Sequence, residues 1–347
     1  MPPPSFFEGE RTPATIAPPD DRRTPIAQTL IVGLGGGLLG ATALFFPIGV
    51  PISLFDGGLA SSGGTFMLHG ALPYRDFWWL YGPLAPPVAG AFGAVFGPSI
   101  LLVRLLGLAM HAVQAGAGFA LLRPRLPAWA AAALSIGGTN LAAAIGGLEF
   151  TAWALALALA LAGLAIRQAD RTTLAGIFIG LAFLARFDVG GYALIAALAT
   201  GPRRGLLAGF VAVSAPVALL MLATTPLASL VEQVLWFPLV GQRVFRSVPL
   251  PEVSGGVGSL LVFAVLVVIP KIALVIAAAQ LVRTRFQDRL LVTLTVFATL
   301  CQLQTLSRAD GMFDMAVNGG GQLTIDYRKD GYLPSQRTVD APWRDFA

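Results

Sequence analysis

The chain alternates apolar runs with short polar breaks that carry arginine. A helix that spans a bilayer needs about 20 predominantly apolar residues. The pattern predicts an all-α fold, a polytopic transmembrane helical bundle of about eight to ten spanning helices with a long first outer loop. The predicted spans are Ile26–Leu54, Ser99–Leu122, Ala128–Ile145, Phe150–Ile166, Thr173–Ala185, Val189–Ala199, Gly205–Ala223, Val257–Val282 and Leu290–Leu306. A further apolar run from Pro83 to Phe96 predicts a short helix, either interfacial or tilted.

Composition supports a membrane environment. Hydrophobic residues make up 56% of the 347 positions and charged residues only 12%, against about 25% in soluble domains. The mean hydropathy is +0.75. The only cysteine, Cys301, excludes an intrachain disulfide, and His69 and His111 lie too far apart in sequence to suggest a histidine metal site. The net charge of +5 is spread over breaks between apolar runs and does not indicate nucleic-acid binding.

The arginine positions predict an orientation, because cytoplasmic loops are enriched in basic residues. Arg22 and Arg23 place the N-terminus in the cytoplasm, so we expect a multi-pass protein of the plasma (inner) membrane. Residues 1–25 are predicted to be a disordered cytoplasmic tail, 26–310 a transmembrane domain, and 311–347 a polar tail of unassigned fold. Two polar segments, Phe55–Gly82 and Thr224–Gly256, are then predicted to lie outside.

Charged residues interrupt one apolar stretch in the middle of the chain. Arg186 and Asp188 stand within it, followed by Gly190 and Gly191. We interpret the stretch as two short helices that meet at 186–191, since broken helices at membrane depth line polar cavities. The two charges are either a structural ion pair or a functional pair.

The first outer segment has the densest set of polar and aromatic residues. Asp56 follows the first apolar run directly, and Asp76 lies between Tyr74 and the pair Trp78-Trp79. A solvated loop with an aromatic belt at the membrane interface is one interpretation.

The order of motifs in this segment resembles the GT-C superfamily of membrane glycosyltransferases, which includes protein O-mannosyltransferases and bacterial aminoarabinose transferases. The resemblance starts from the acidic Asp56 and continues through Gly70–Asp76, a Gly-x-x-Pro-Tyr-x-Asp-like stretch, and the proline-rich Gly82–Pro87. It extends over most of residues 26–310. It implies transfer of a sugar from a polyprenyl-phosphate donor to a glycan, lipid or protein acceptor on the outer face of the membrane.

The resemblance also implies roles for individual residues. Asp56 is the expected catalytic base and Asp76 a second catalytic acidic residue. A cation must stabilise the leaving phosphate, which makes Arg243, Arg246 and Arg308 expected substrate-binding residues, with lipid headgroup contact as the alternative. A divalent metal is the other possible source of that charge; otherwise no cofactor is expected. Further substrate-binding candidates are Tyr74, Arg75 and Glu149.

The chain departs from this pattern after Arg308-Ala-Asp310, where a polar segment replaces the further helices of many relatives. A truncated, inactive homologue is therefore one alternative. A transporter or flippase of a lipid-linked substrate is another, although no related halves are visible in the sequence.

Overall fold

The computed structural model describes residues 26–45, 57–146, 149–237, 240, 269–283, 289–302, 321–327 and 335–341. This part of the chain is mostly helical, as the sequence predicts. In chain order its helices are α1 Ile26–Phe45, α2 Gly57–Leu68, α3 Ala85–Phe96, α4 Ile100–Leu122, α5 Ala128–Gly146, α6 Ala152–Gln168, α7 Thr172–Ala185, α8 Phe187–Leu198, α9 Arg204–Thr224, α10 Leu227–Leu230, α11 Ile269–Arg283 and α12 Arg289–Gln302. A π-helical turn, Val231–Trp236, continues α10.

Helix α2 corrects the prediction of one long polar loop after the first span. Small residues dominate α2 and let its backbone approach α3 closely: a β-carbon on Gly64 would lie 2.7 Å from the backbone nitrogen of Gly90. The loop that remains runs from residue 69 to residue 84. Part of the predicted loop is therefore a helix. Close packing against α3 stabilises it, and the weak apolar pattern of its sequence does not reveal this packing.

Helix α1 places its small and large residues on different faces. Gly33 contacts α4 so closely that a β-carbon would lie 2.9 Å from the carbonyl oxygen of Ala112. The large apolar side chains, in contrast, point away from the bundle along an i, i+4 stripe. The stripe consists of Ile26, Leu30, Leu34 and Leu38, which are 60–78% exposed.

Two helices, α4 and α9, are long and apolar enough to cross a membrane among the residues that the structure describes. In α9, only 17% of the most apolar window is buried. The other apolar helices of this part are shorter, and α9 packs against α7 through its few buried positions. These features are those of a membrane-associated chain.

A β-hairpin follows in the C-terminal segment, to which the sequence assigns no fold. Strands β1 Gly321–Tyr327 and β2 Ser335–Ala341 pair antiparallel. The register places Leu323 opposite Val339 and Thr324 opposite Thr338. The all-α prediction therefore holds for the described residues as far as Gln302, and a strand pair follows it.

Candidate functional site

The loop between α2 and α3 (residues 69–84, the 69–84 loop) is held by hydrogen bonds from its own side chains. Tyr74 is 1% exposed, and its hydroxyl donates to the carbonyl oxygen of Tyr81. Its backbone adopts φ 67°, a left-handed conformation that is rare for a tyrosine, and its N–H donates to the oxygen of Phe77 over 3.0 Å. Burial raises the pKa of Tyr74 well above its ordinary value, so the hydroxyl stays protonated and keeps this bond.

Trp79 is fully buried and links the loop to a distant part of the chain. Its indole Nε1 donates to the carbonyl oxygen of Gly82 over 2.8 Å. Its backbone N–H donates to Oε1 of Gln233 over 3.0 Å, and Nε2 of Gln233 donates to the carbonyl oxygen of Tyr74 over 3.0 Å. One amide in the π-helical turn thus bonds two backbone groups of the 69–84 loop.

The loop also contacts the end of α7. The N–H of Leu84 donates to the carbonyl oxygen of Leu184 over 2.9 Å. A β-carbon on Gly82 would collide with that same carbonyl group, so only glycine permits the approach. The loop is therefore seated directly beside the break between α7 and α8.

Arg186 occupies that break and is surrounded by aromatic rings and a carboxylate. Its guanidinium carbon lies 5.1 Å from the ring centroid of Tyr81 and 4.9 Å from that of Trp153. Its Nε donates to both carboxylate oxygens of Asp188, over 2.9 and 3.0 Å, and Asp188 Oδ1 accepts from the N–H of Val189 over 2.7 Å. Cation–π contacts and a hydrogen-bonded ion pair together compensate this charge in an apolar bundle.

The predicted helix break is thus confirmed, but it is shorter than the sequence suggests. Only Arg186 separates α7 from α8, with φ −156° and ψ 114°, and Gly190 and Gly191 lie inside α8. Gly190 is needed there because a β-carbon would collide with the backbone of Phe183. Arg186 and Asp188 form the ion pair that the broken helix allows.

Of the residues predicted to form the site, the structure brings Tyr74, Arg75 and Asp76 into one loop. Arg75 Nη2 and Asp76 Oδ2 form a 2.7 Å ion pair at the surface. This hydrogen bond raises the pKa of Arg75 above its ordinary value. Asp76 Oδ2 also accepts from the N–H of Leu72 over 2.8 Å, so its carboxylate closes a local turn.

The remaining predicted site residues are placed elsewhere or lie beyond the described ranges. Glu149 is half-buried, two residues before Thr151, which caps the N-terminus of α6. The other four, Asp56, Arg243, Arg246 and Arg308, lie outside the described residues. Over the described ranges, no group of three or more histidine, cysteine, aspartate or glutamate residues is placed to hold a metal ion.

Sequence reasoning missed the three residues that organise this region, Gln233, Tyr81 and Trp153. Tyr81 is visible in the sequence only as an aromatic residue suited to the membrane interface, and no local signal distinguishes Trp153 within its apolar run. Gln233 stands in the apolar sequence Leu-Val-Glu-Gln-Val-Leu-Trp, and no local signal distinguishes it from a solvated glutamine.

Teneurins are similar to a part of this chain. The model of the teneurin TTR-like domain matches residues 281–347. Teneurin-m of Drosophila melanogaster is 43% identical over 47 residues, which is 14% of this chain and 2% of that protein. Teneurin-3 of Danio rerio and of Mus musculus are 45% and 43% identical over 42 residues, or 12% of this chain and 2% of each relative. No solved structure matches.

These matches correct the interpretation drawn from motifs. The family that matches is a teneurin domain, so the GT-C assignment, the glycosyltransferase activity and the enzyme class are wrong. The polyprenyl-phosphate donor and its acceptor are withdrawn with them, and the transporter, flippase and truncated-glycosyltransferase alternatives gain no support. The chain spans 2% of the length of the curated relatives it matches. The matched range begins at the end of α11, and includes α12 and the β-hairpin.

Proposed function

We propose that the chain is a multi-pass membrane protein that presents its C-terminal segment outside the membrane for contact with another protein. The observation that carries the membrane part is the arrangement of α1, whose glycine face packs on α4 and whose Leu30, Leu34 and Leu38 point outward. Large apolar side chains facing out and small residues facing in are the reverse of a soluble helix and suit lipid as the solvent.

The exposed apolar surface of α9 supports the same proposal. Val211, Leu219 and Leu220 are 53%, 66% and 61% exposed. Burial of apolar surface in lipid stabilises by about 25 cal/mol per Å² relative to water, so a helix with this surface belongs in a bilayer. The shorter helices complete the bundle as tilted or broken spans.

We propose the orientation from the arginine pattern, with the N-terminus in the cytoplasm and the turn between α6 and α7 on the same side. Residues 1–25 are then a cytoplasmic tail, 26–310 the membrane domain, and 311–347 an external segment that contains β1 and β2. The polar pair Arg75–Asp76 faces water on the outer side, and Glu149 lies near the same side. We predict that four further residues also lie on the outer side of the membrane: Asp56, Arg243, Arg246 and Arg308.

The protein-contact part of the proposal draws on the hairpin and on the teneurin match. Along β1, the sequence alternates an apolar series, Leu323, Ile325 and Tyr327, with a polar series, Gln322, Thr324 and Asp326. An isolated two-stranded hairpin is marginally stable in water, so the apolar series needs a covering surface. A partner protein is the occupant that the similarity to a teneurin domain favours.

Membrane extraction tests the first part. We expect the chain to stay in the membrane pellet at alkaline pH, because only detergent replaces the lipid around α1 and α9. Leu34→Glu should weaken retention, whereas Arg75→Glu, a charge change in the surface loop, should not. Release of the unmodified chain by carbonate alone would contradict the membrane assignment.

Site-specific photo-crosslinking tests the second part. A crosslinking residue at Leu323 or Ile325 should yield adducts with a separate protein, and one at Gln322 or Thr324 should not. Adducts confined to this chain itself, or equal yields at both series, would contradict the proposed protein contact.

A further inference from the structure

Gln233 bonds the backbone of the 69–84 loop from beyond α9 at two points. It lies in the π-helical turn Val231–Trp236 and is buried, with 7% of its surface exposed. π-Helical turns are rare, and they often occur at functional sites. The position of this amide therefore calls for a physical account.

The side-chain amide of Gln233 supplies an acceptor to one of its partners and a donor to the other. Its oxygen accepts from the N–H of Trp79, and its nitrogen donates to the carbonyl oxygen of Tyr74, each over 3.0 Å. Trp79 and Tyr74 are at most 1% exposed. A buried backbone group that loses its hydrogen bond costs about 1–3 kcal/mol, so the loop depends on this one side chain at two points.

The two sides of the loop are held differently. On the π-turn side, the contacts include the two hydrogen bonds of the Gln233 amide and the edge-on rings of Trp78 and Phe237, with centroids 5.1 Å apart. On the α7 side, the backbone bond from Leu84 and the close approach of Gly82 hold the loop against the helix. A side-chain contact can open without unfolding a helix, whereas the α7 contact is part of the packed bundle.

We propose that Gln233 is a releasable latch that holds the 69–84 loop closed over Arg186, with Gly82–Leu84 as the pivot. Tyr81 belongs to this loop and covers one side of the Arg186 guanidinium. Opening the latch therefore uncovers Arg186, while Trp153 in α6 stays in place.

Hydrogen exchange of the full-length chain in lipid nanodiscs tests the latch. Gln233→Leu removes both hydrogen bonds and introduces an apolar side chain of similar size. We therefore expect amide hydrogen exchange in residues 72–81 to accelerate about tenfold or more. Gln114→Leu is the matched control, because Gln114 is also buried and donates to a backbone oxygen, that of Ala154, over 3.0 Å. Equal acceleration in both variants, or none in Gln233→Leu, would overturn the proposal.

Gln233→Glu gives a second test that needs no large change in shape. An ionised carboxylate accepts from Trp79 but cannot donate to Tyr74, whereas a protonated carboxyl group can do both. After correction for intrinsic exchange, we expect the loop to be open at pH 8 and closed at pH 5 in this variant only. A loop with the same protection at both pH values would argue against a latch.

Arginine-specific dicarbonyl labelling, read site by site by mass spectrometry, tests what the latch covers. We expect Gln233→Leu to increase labelling of Arg186 several-fold and to leave that of Arg171, in the turn between α6 and α7, unchanged. Unchanged labelling of Arg186 in a variant whose loop exchanges faster would show that the loop does not act as its cover.

Discussion

The interface between α7 and α9 and the neighbouring 69–84 loop achieve close packing by opposite means. At the interface, Gly176 and Gly209 remove side chains, so that a β-carbon on either would collide with a backbone carbonyl of the other helix. In the loop, Tyr74 and Trp79 add side chains, as does Gln233 in the π-helical turn beside it, and each hydrogen-bonds to a backbone group. The helix interface depends on the absence of side chains, whereas the loop depends mainly on side chains that are present.

The difference explains why the two regions should respond differently to substitution. An interface of two backbones has no room to adapt, because packed helices move only as units. A loop held by side-chain hydrogen bonds loses one bond at a time, and each loss costs about 1–3 kcal/mol when the group left behind is buried.

Gly209→Leu should have the largest effect, because the new side chain meets the carbonyl oxygen of Thr173 and the backbone nitrogen of Ile177. We expect a loss of about 3 kcal/mol in unfolding free energy, the upper end for overpacking. The measurement is unfolding in mixed detergent micelles, followed by tryptophan fluorescence.

Gly191→Ala in α8 is its control, because a β-carbon there meets nothing within 4 Å. This variant should be neutral or stabilised by less than about 1 kcal/mol, through helix propensity alone. Equal losses at both positions would show that glycine is needed for backbone flexibility and not for contact between helices.

Arg186→Ala should rank second. It removes both cation–π contacts and the ion pair with Asp188, for an expected loss of about 2 kcal/mol. The double variant with Asp188→Asn should recover part of this loss, because the side chain that lost the ion pair is then neutral. A double-mutant cycle in the same unfolding assay measures the coupling, and a coupling near zero would mean that the two residues act independently.

Tyr74→Phe should cost about 1 kcal/mol, since it removes the buried hydrogen bond from the Tyr74 hydroxyl to the carbonyl oxygen of Tyr81. It also tests the pH dependence. Folding raises the pKa of Tyr74, so its stabilising contribution is complete below the ordinary value of 10.0 and is lost as pH rises above it. Unfolding free energy between pH 8 and pH 11 should fall more steeply in the unmodified chain than in Tyr74→Phe.

Arg75→Ala should have the smallest effect, with no measurable change in unfolding free energy. The ion pair of Arg75 with Asp76 lies at the surface, where solvent screens it and side-chain entropy opposes it. Asp76→Ala should be more harmful than Arg75→Ala, because Asp76 also accepts from the N–H of Leu72. If Arg75→Ala and Asp76→Ala had equal effects on thermal unfolding, the hydrogen bond from Leu72 to Asp76 would contribute nothing measurable to stability.

Much of the helical fold could be predicted from sequence, because apolar runs and arginine breaks are local signals. The predicted span Ser99–Leu122 coincides with α4 and its Ser99 cap, and the Arg186 break separates α7 from α8. The hairpin could in principle be read from the alternation in Gln322–Tyr327. Helix α2 could not be predicted from the sequence, because the close packing of its small residues can be recognised only when the partner helix is known.

The motif resemblance, which the teneurin matches overturn, rests on residues that shape the 69–84 loop. Gly70 adopts φ 84°, Tyr74 is buried and hydrogen-bonded, and Asp76 closes a turn. Gln233 could not be predicted at all, because its partners lie more than 150 positions away in the chain.

Cysteine accessibility in intact cells tests the central claim, a membrane-embedded bundle with an external C-terminal segment, most directly. In a chain carrying Cys301→Ser, Thr324→Cys in β1 should react with a membrane-impermeant maleimide added outside. Ala169→Cys, in the exposed turn between α6 and α7, should react only after permeabilisation. Labelling of Thr324→Cys only after permeabilisation, or equal labelling of both variants in intact cells, would contradict the account.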